Sequence, residues 1–416
     1  MMRFPHAARF AKGLKGPGSR IALLATLLLA GCVGSGSLVP PGRVGEGTTA
    51  FPEMPPAPVA GSLPAGGSTI GNGPVRVALI VPLSGQGQGA VAAQSMRNAA
   101  DLALSEIPNA EITVLVKDDH GTPEGARQAA SEAINEGAEL IIGPLFAGSV
   151  RTAGQVARQA GKPVIAFSTD ASVATRGVYL LSFLVQAEVD RIVSYAASQG
   201  RRSIAALVPE STYGSVAEAQ FREAAAQNGL RVVAIEHYPV GQPQAAVQRL
   251  RQAIGGGAPQ ADSLFVPDNA DGLPVVAQAL QSVAFDPQKV KLLGTGLWNE
   301  PRVFDVPALQ GAWFATPDNR GFNAFAARYR GRFNSDPIRL ATLSYDAVTL
   351  AAALTRVQGS QRFSDSVITN PAGFAGADGV FRFKADGTNE RALSVQEVRT
   401  GAAATISAAP RSLSGT

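Results

Sequence analysis

The sequence is poor in the residues that most chemistry needs. Its 416 residues include one cysteine, three histidines and two tryptophans. A single cysteine excludes an intramolecular disulfide, even in an oxidising compartment. His120 and His237 lie far apart and beside no cysteine, so no metal-ligand cluster is spelled out and no metal is expected. A Walker loop, a nucleophile elbow and a His-centred triad are all missing, which argues against an enzyme. Acid is missing from the first 31 residues, which carry Arg3, Arg9, Lys12, Lys15 and Arg20. The net charge of +4 becomes about −1 once those five bases are subtracted. A nucleic-acid partner would require a basic surface on the remainder, and that surface is not there.

The basic stretch is followed by an apolar run, Ile21 to Leu29, too short to span a bilayer as a stable helix. Together they read as a secretory signal peptide, residues 1–31. The run ends in Leu29-Ala30-Gly31-Cys32, which resembles the bacterial lipobox. That resemblance implies cleavage before Cys32 and lipidation of its thiol, so the lone cysteine is expected to be an anchor. From Val33 to Pro74 the chain is rich in Gly, Pro and Ser, with little charge and no periodicity. Such a composition cannot bury a core and predicts a disordered linker, residues 32–74 with the anchor included. About 40 residues of this kind reach roughly 30–40 Å, so the folded part stands off from its membrane.

Folding starts at Val75-Arg76-Val77-Ala78-Leu79-Ile80-Val81, an apolar, β-branched run suited to a strand buried on both faces. Pro82 ends it, Ser84 and three alternating glycines form a loop, and an Ala-rich helix follows. The same strand–loop–helix unit recurs with strands at Ile112–Lys117, Leu140–Ile142 and Pro163–Phe167. Thr122 and Pro123 open the second helix as N-cap and first-turn proline. A helix over about 187–199 closes this set. A second α/β series has strands near Ile204–Val208, Val232–Glu236, Leu264–Val266, Leu292–Leu293 and Ala312–Phe314. Its helices are expected over about 214–227, 244–254 and 273–283. The repeat is one of architecture, without a fixed sequence period.

Taken in order, several pieces resemble the type I periplasmic binding proteins of the leucine/isoleucine/valine-binding kind. They are VRVALIVPLSGQGQG, KDDHGTPEGA, LIIGPLFAGSV, KPVIAFSTD, VPESTYGSVAEAQF, LSYDAV and GVFRF with Asp386-Gly387. The similarity covers about 75–398. It implies an α/β fold of two Rossmann-like lobes, each with a central parallel sheet, joined by three hinge crossovers over an interlobe cleft. Lobe 1 would comprise 75–199 and 320–375, lobe 2 would comprise 200–319 and 376–400, and 401–416 would be a tail.

In that family the ligand lies between the strand ends of both lobes, which nominates specific residues. Ser84 and Gly85 end the first strand; they form either a rim contact or a plain tight turn. Ser168 and Thr169, after the fourth strand, offer hydroxyls and amides to a carboxylate, or else cap a helix. Amino-acid binders of the family carry a hydroxyl-rich loop where this chain has Gly143–Ser149, apolar until Ser149; Ser149 is either a ligand contact or a helix cap, and the departure argues against an α-amino-acid ligand. From lobe 2, Tyr213 and Trp298 could close over a ligand or be half-buried aromatics. Glu300 could receive an ammonium or simply be solvated. Asp118 and Asp119 read as a structural strand-end pair.

Gly85-Gln86-Gly87-Gln88-Gly89-Ala90 formally fits the dinucleotide fingerprint, but Pro82 and Ser84 lengthen a turn that should start tightly at the first glycine. No cofactor is expected. Two functions remain. One is a lipid-anchored binding protein that captures an amino-acid-like solute and delivers it to an ABC permease. The other is an envelope lipoprotein that activates a penicillin-binding protein, a peptidoglycan synthase, through protein contacts. The long linker and the apolar Gly143-Pro144-Leu145 loop favour the second, but the fold that the resemblance implies and Ser168-Thr169 keep solute binding as the expected function. Val33 after the anchor, where an inner-membrane lipoprotein commonly carries Asp, points to a periplasmic location on the outer membrane.

Overall fold

The structure is a computed structural model that describes residues 68–256 and 258–413. The expected signal peptide, Cys32 and most of the linker lie outside the described residues. All the described residues belong to one compact unit, Pro64–Thr416, containing two α/β lobes.

In chain order, the first sheet contributes β1 (Thr69–Ile70), β2 (Val75–Val81), β3 (Ile112–Asp118), β4 (Ala138–Ile142), β5 (Val164–Ala166) and β6 (Val178–Leu180). Their spatial order is β1-β3-β2-β4-β5-β6, parallel except for β1. The run that opens the fold is wholly buried from Val77 to Val81. Its side chains alternate between two cores, as the period-2 geometry of a strand requires. Val77, Leu79 and Val81 pack with Met96 and Ala100 of the helix Gln88–Ser105 and with Ala347 and Ala351 of the helix Ala341–Gln358. Ala78 and Ile80 pack on the opposite face against the helices Pro123–Asn135 and Ala147–Gln159. Thr122 caps the first of these by accepting the Gly125 amide at 3.0 Å, as its position predicts.

The second sheet is built on β7 (Ser203–Pro209), β8 (Arg231–Tyr238), β9 (Ser263–Phe265), β10 (Lys291–Gly294) and β11 (Trp313–Thr316). A small three-stranded sheet follows, β12 (Phe374–Gly376), β13 (Gly379–Phe383) and β14 (Asn389–Arg391). The chain then returns to the second sheet with β15 (Ser394–Arg399) and β16 (Ala402–Ser407), whose order is β16-β15-β11-β10-β9-β7-β8. The five strands from β7 to β11 pair in parallel, and the last two are antiparallel additions at one edge.

Three crossovers join the lobes, at 181–184, 317–318 and 392–393, and they correct the expected boundaries. The helix Val185–Ser198 does not close the first lobe. Val185, Val189, Ile192, Val193 and Ala196 pack instead on Ile204, Ala206 and Val208 of β7, in the second lobe. Periodicity shows that a helix is amphipathic; it does not say which sheet the apolar stripe covers. Residues 376–391 stay with the first lobe, because Phe381 and Phe383 enter its core beside Tyr179. Residues 402–407 of the expected tail are strand β16. The expected linker ends early, since Thr69 and Ile70 pair with Leu115 and Val114 at the sheet edge. The helix expected over 244–254 breaks at Leu250 into Gln244–Arg249 and Arg251–Ile254.

The β13–β14 turn is held on the first lobe by the Leu180 amide, which donates to the Gly387 carbonyl at 2.7 Å. Gly387 has φ of 87°, and a Cβ there would overlap the backbone of Val178 and Thr175. Gly387→Ala is therefore expected to lower stability by about 1–3 kcal/mol. Urea unfolding of the variant beside the parent protein checks this; an unchanged midpoint would mean that the turn does not hold the returning segment.

Candidate functional site

The C-terminal ends of both sheets face one another across a cleft of about 1110 Å³. This is where open α/β sheets leave room for ligands. The first lobe supplies the loop Thr169–Ser172 after β5, with Phe322, Asn323 and Arg339. The second supplies Gln186 and Glu188 from its entry helix, Thr212 and Tyr213 after β7, and Gly296, Leu297 and Asn299 after β10. Phe183, Thr316 and Pro317 contribute from around the crossovers. Val185, Val216, Pro301 and Phe304 extend a mostly apolar wall.

Among the residues nominated from sequence, the structure brings Thr169 and Tyr213 to the cleft. The Tyr213 hydroxyl donates to Thr295 Oγ1 at 2.8 Å, which fixes the ring at the wall. Ser168 lies just behind: its buried Oγ accepts the Asp170 amide at 3.1 Å and shapes the loop that presents Thr169. Asp170 in turn accepts the Ser172 amide at 2.9 Å.

The other nominees lie elsewhere. Gly85 forms a tight turn, its amide donating to Pro82 O at 3.1 Å. The Ser84 amide donates to Asp118 Oδ2 at 3.0 Å, and Ser84 Oγ lies 2.5 Å from His120 Nδ1. Asp118 and Asp119 order the neighbouring loop, accepting the His120 and Gly121 amides respectively. Ser149 is buried in the first turn of its helix, away from the cleft. Trp298 is wholly buried, with its Nε1 donating to Val266 O at 3.2 Å, so it belongs to the second lobe's core and cannot close over a ligand. Glu300 pairs with Arg302 at 2.9 Å, half exposed, outside the cleft lining.

The strongest polar features of the site are ones the sequence reading passed over. Arg339 donates through Nη2 to Asp378 Oδ1 and through Nη1 to Asn319 Oδ1, both at 2.6 Å. Asp378 has no exposed side-chain surface, and its other oxygen accepts from Thr342 Oγ1 at 2.5 Å. The Arg339 guanidinium lies 5.0 Å from the Phe322 ring centroid and 5.9 Å from that of Phe183. A second guanidinium, that of the buried Arg391, lies 4.8 Å from Phe183, so the ring contacts two cations. Arg391 Nε and Asn389 Nδ2 both donate to Ser182 O, at 3.0 and 2.9 Å. Burial lowers the Arg391 pKa. It pushes the neighbouring Asp346 carboxyl up to about 7, against the nearby Arg391 charge and the amide of Ala377.

Glu188 is the other missed residue. It occupies the apolar face of its helix, at the i+3 position from Val185, and is 8 % exposed. A carboxyl on such a stripe was the available signal. Its Oε2 accepts the Gly296 amide at 3.0 Å. Burial pushes its pKa up to about 8, outweighing that hydrogen bond and the Arg339 charge. Arg339 and Asp378 carry no comparable sequence signal, because 39 residues, including the whole helix Ala341–Gln358, separate them.

The family profile described as Periplasmic binding protein matches residues 74–403. The chain belongs to the periplasmic binding protein family. Solved members share its fold across nearly their whole length. A Rhodospirillum rubrum protein assigned to branched-chain amino acid ABC transport has a TM-score of 0.70 at 18 % identity, covering 80 % of this chain and 99 % of its own. A branched-chain amino acid ABC transporter periplasmic ligand-binding protein from Burkholderia xenovorans gives 0.64 at 15 % identity, covering 82 % and 97 %. A solute-binding protein of an ABC transporter from Rhodopseudomonas palustris, in complex with 3,4-dihydroxybenzoic acid, gives 0.55 at 23 % identity, covering 80 % and 96 %. No curated protein matches the chain. For this periplasmic binding protein the matches establish the two-lobed fold; the ligand has to be read from its own cleft.

The buried carboxyls set a direction for pH dependence. Their folded pKa values lie above those of the unfolded chain, so the folded state holds more protons across the interval between. Their contribution to stability is complete below the ordinary carboxylate range and is lost as pH rises, through about 7 for Asp346 and about 8 for Glu188. Glu188→Gln is expected to remove part of that loss, so that the variant gains on the parent protein between pH 6 and 9. Denaturant midpoints across that range check it; a constant difference between the two proteins would show that Glu188 does not titrate there.

Proposed function

We propose that the protein is the solute-binding component of an ABC-type uptake system, tethered to the cell envelope through Cys32, that closes its cleft over a small and largely apolar ligand. The observation that carries this reading is the cleft itself, with its mostly apolar walls supplied by both lobes and a few polar groups converging on it. A ligand touching Thr169 on one wall and Tyr213 on the other would be held more tightly with the lobes together. Its differential affinity would shift the population toward the closed form. Three short crossovers are the segments that would absorb such a hinge motion. The linker between Cys32 and the first strand gives the domain room to reach a permease.

One observation favours a second reading, activation of a peptidoglycan synthase. Phe146, in the apolar Gly143–Ser149 loop, is 43 % exposed and lies against Gly89 and Gly121 at the first lobe's strand ends. An exposed aromatic of this kind serves as a protein contact, and it needs no cleft ligand.

A thermal-shift screen of the purified protein against small solutes separates the two. A specific ligand present at 100 times its Kd should stabilise the protein by about 2.7 kcal/mol. Tyr213→Ala should weaken that ligand at a temperature where the variant is still folded, while also lowering the unliganded melting temperature, because the ring packs on the second lobe's core. A screen without a single stabilising solute, together with Phe146-dependent binding of a peptidoglycan synthase, would overturn the transport reading.

A further inference from the structure

We propose that the cleft takes an amine: a protonated nitrogen on an apolar body, seated against Glu188 and Gln186 of the second lobe. This rests on the solute-binding reading and names its ligand class. The buried acceptors on the second lobe's wall carry it. Arg339 is the one cation among the described lining residues; its Nη groups are held by Asn319 and Asp378, and its Nε has no protein partner. A ligand carboxylate would find one cationic N–H without a protein partner, Arg339 Nε, and would share the cleft with Asp170 and Glu188.

Acceptors, by contrast, are in place. Gln186 Oε1 is buried at the cleft wall without a protein partner. Two residues further along the same helix, Glu188 accepts one backbone amide through Oε2. A buried carbonyl oxygen with no partner and a buried carboxyl are costly in an empty apolar wall, and an N–H donor would satisfy both. Phe183, Phe322 and Leu297 supply apolar surface for the body of such a ligand.

The groups facing Glu188 are the Arg339 guanidinium across the cleft, the Tyr213 phenol and the Gly296 amide. Tyr213 stays protonated, because burial and the Glu188 charge raise its pKa further. Burial alone keeps Glu188 protonated near neutral pH. An ammonium brings the missing counter-charge, so its binding should expel the Glu188 proton to solvent and leave a carboxylate–ammonium pair.

Calorimetry on the full chain with phenethylamine, cyclohexylmethylamine, hydrocinnamate and phenylalanine tests this. The amines should bind, with affinity rising up to tenfold per pH unit between pH 6 and 8. Titrations in buffers of different ionisation enthalpy should show about one proton released. Glu188→Gln should lose at least tenfold in amine affinity and abolish the proton release, while its denaturant midpoint at pH 6 shows that it is folded. Binding of hydrocinnamate or phenylalanine with both amines inert would overturn the amine proposal and leave the solute-binding reading standing. Amine binding without proton release, or unaltered in Glu188→Gln, would also overturn it. If these probes and the wider solute screen all fail to bind, both readings fall together.

Discussion

The two lobes depend on a buried cluster where the chain passes between them. Arg339 reaches Asn319 and Asp378, while Arg391 holds the carbonyl of Ser182, and Phe183 lies against both guanidiniums. The cluster thus ties residues beside all three crossovers into one junction. Isolated charges at such depth would be costly, and removing one partner of a buried pair typically costs about 3–5 kcal/mol. A well-packed apolar junction of the same volume could be as stable. What the charged one adds is direction: hydrogen-bonded and stacked contacts hold Phe183 and Arg339 in place at the edge of the cleft.

From that junction the site follows. The strand ends of two parallel sheets are brought face to face, and their loops line the space between. Glu188 and Gln186 face it because their helix belongs to the second lobe and packs Val185, Val189 and Ile192 on β7. Had that helix closed the first lobe, as the sequence order suggests, its polar groups would stand elsewhere. The position of one crossover therefore determines the electrostatics of the cleft.

Much of the fold is legible in the sequence. The fully buried strand Val75–Val81, the Thr122 cap and the alternation of strands and helices follow from local rules of periodicity and capping. Less of the site is legible. Thr169 and Tyr213 are found because they sit directly after strands, where family geometry places ligands. Trp298 misleads because a strand-end aromatic can turn inward as readily as outward, and here its indole fills the core beneath β9 and β10. Ser84 misleads because its nearest polar neighbours, Asp118 and His120, occupy its hydrogen bonds. Arg339 and Asp378 escape detection because they lie 39 residues apart, on either side of the helix Ala341–Gln358, and meet only when the chain has returned along it.

The central claim is that the cleft closes on a solute through motion at these crossovers. It is tested most directly by electron–electron resonance distances between nitroxides at Glu124→Cys in the first lobe and Asp271→Cys in the second. Both positions are exposed near strand ends, and Cys32→Ser removes the native thiol. The account predicts a broad distance distribution without ligand that becomes shorter and narrower when a stabilising solute saturates the protein. The same distribution with and without that solute would contradict it.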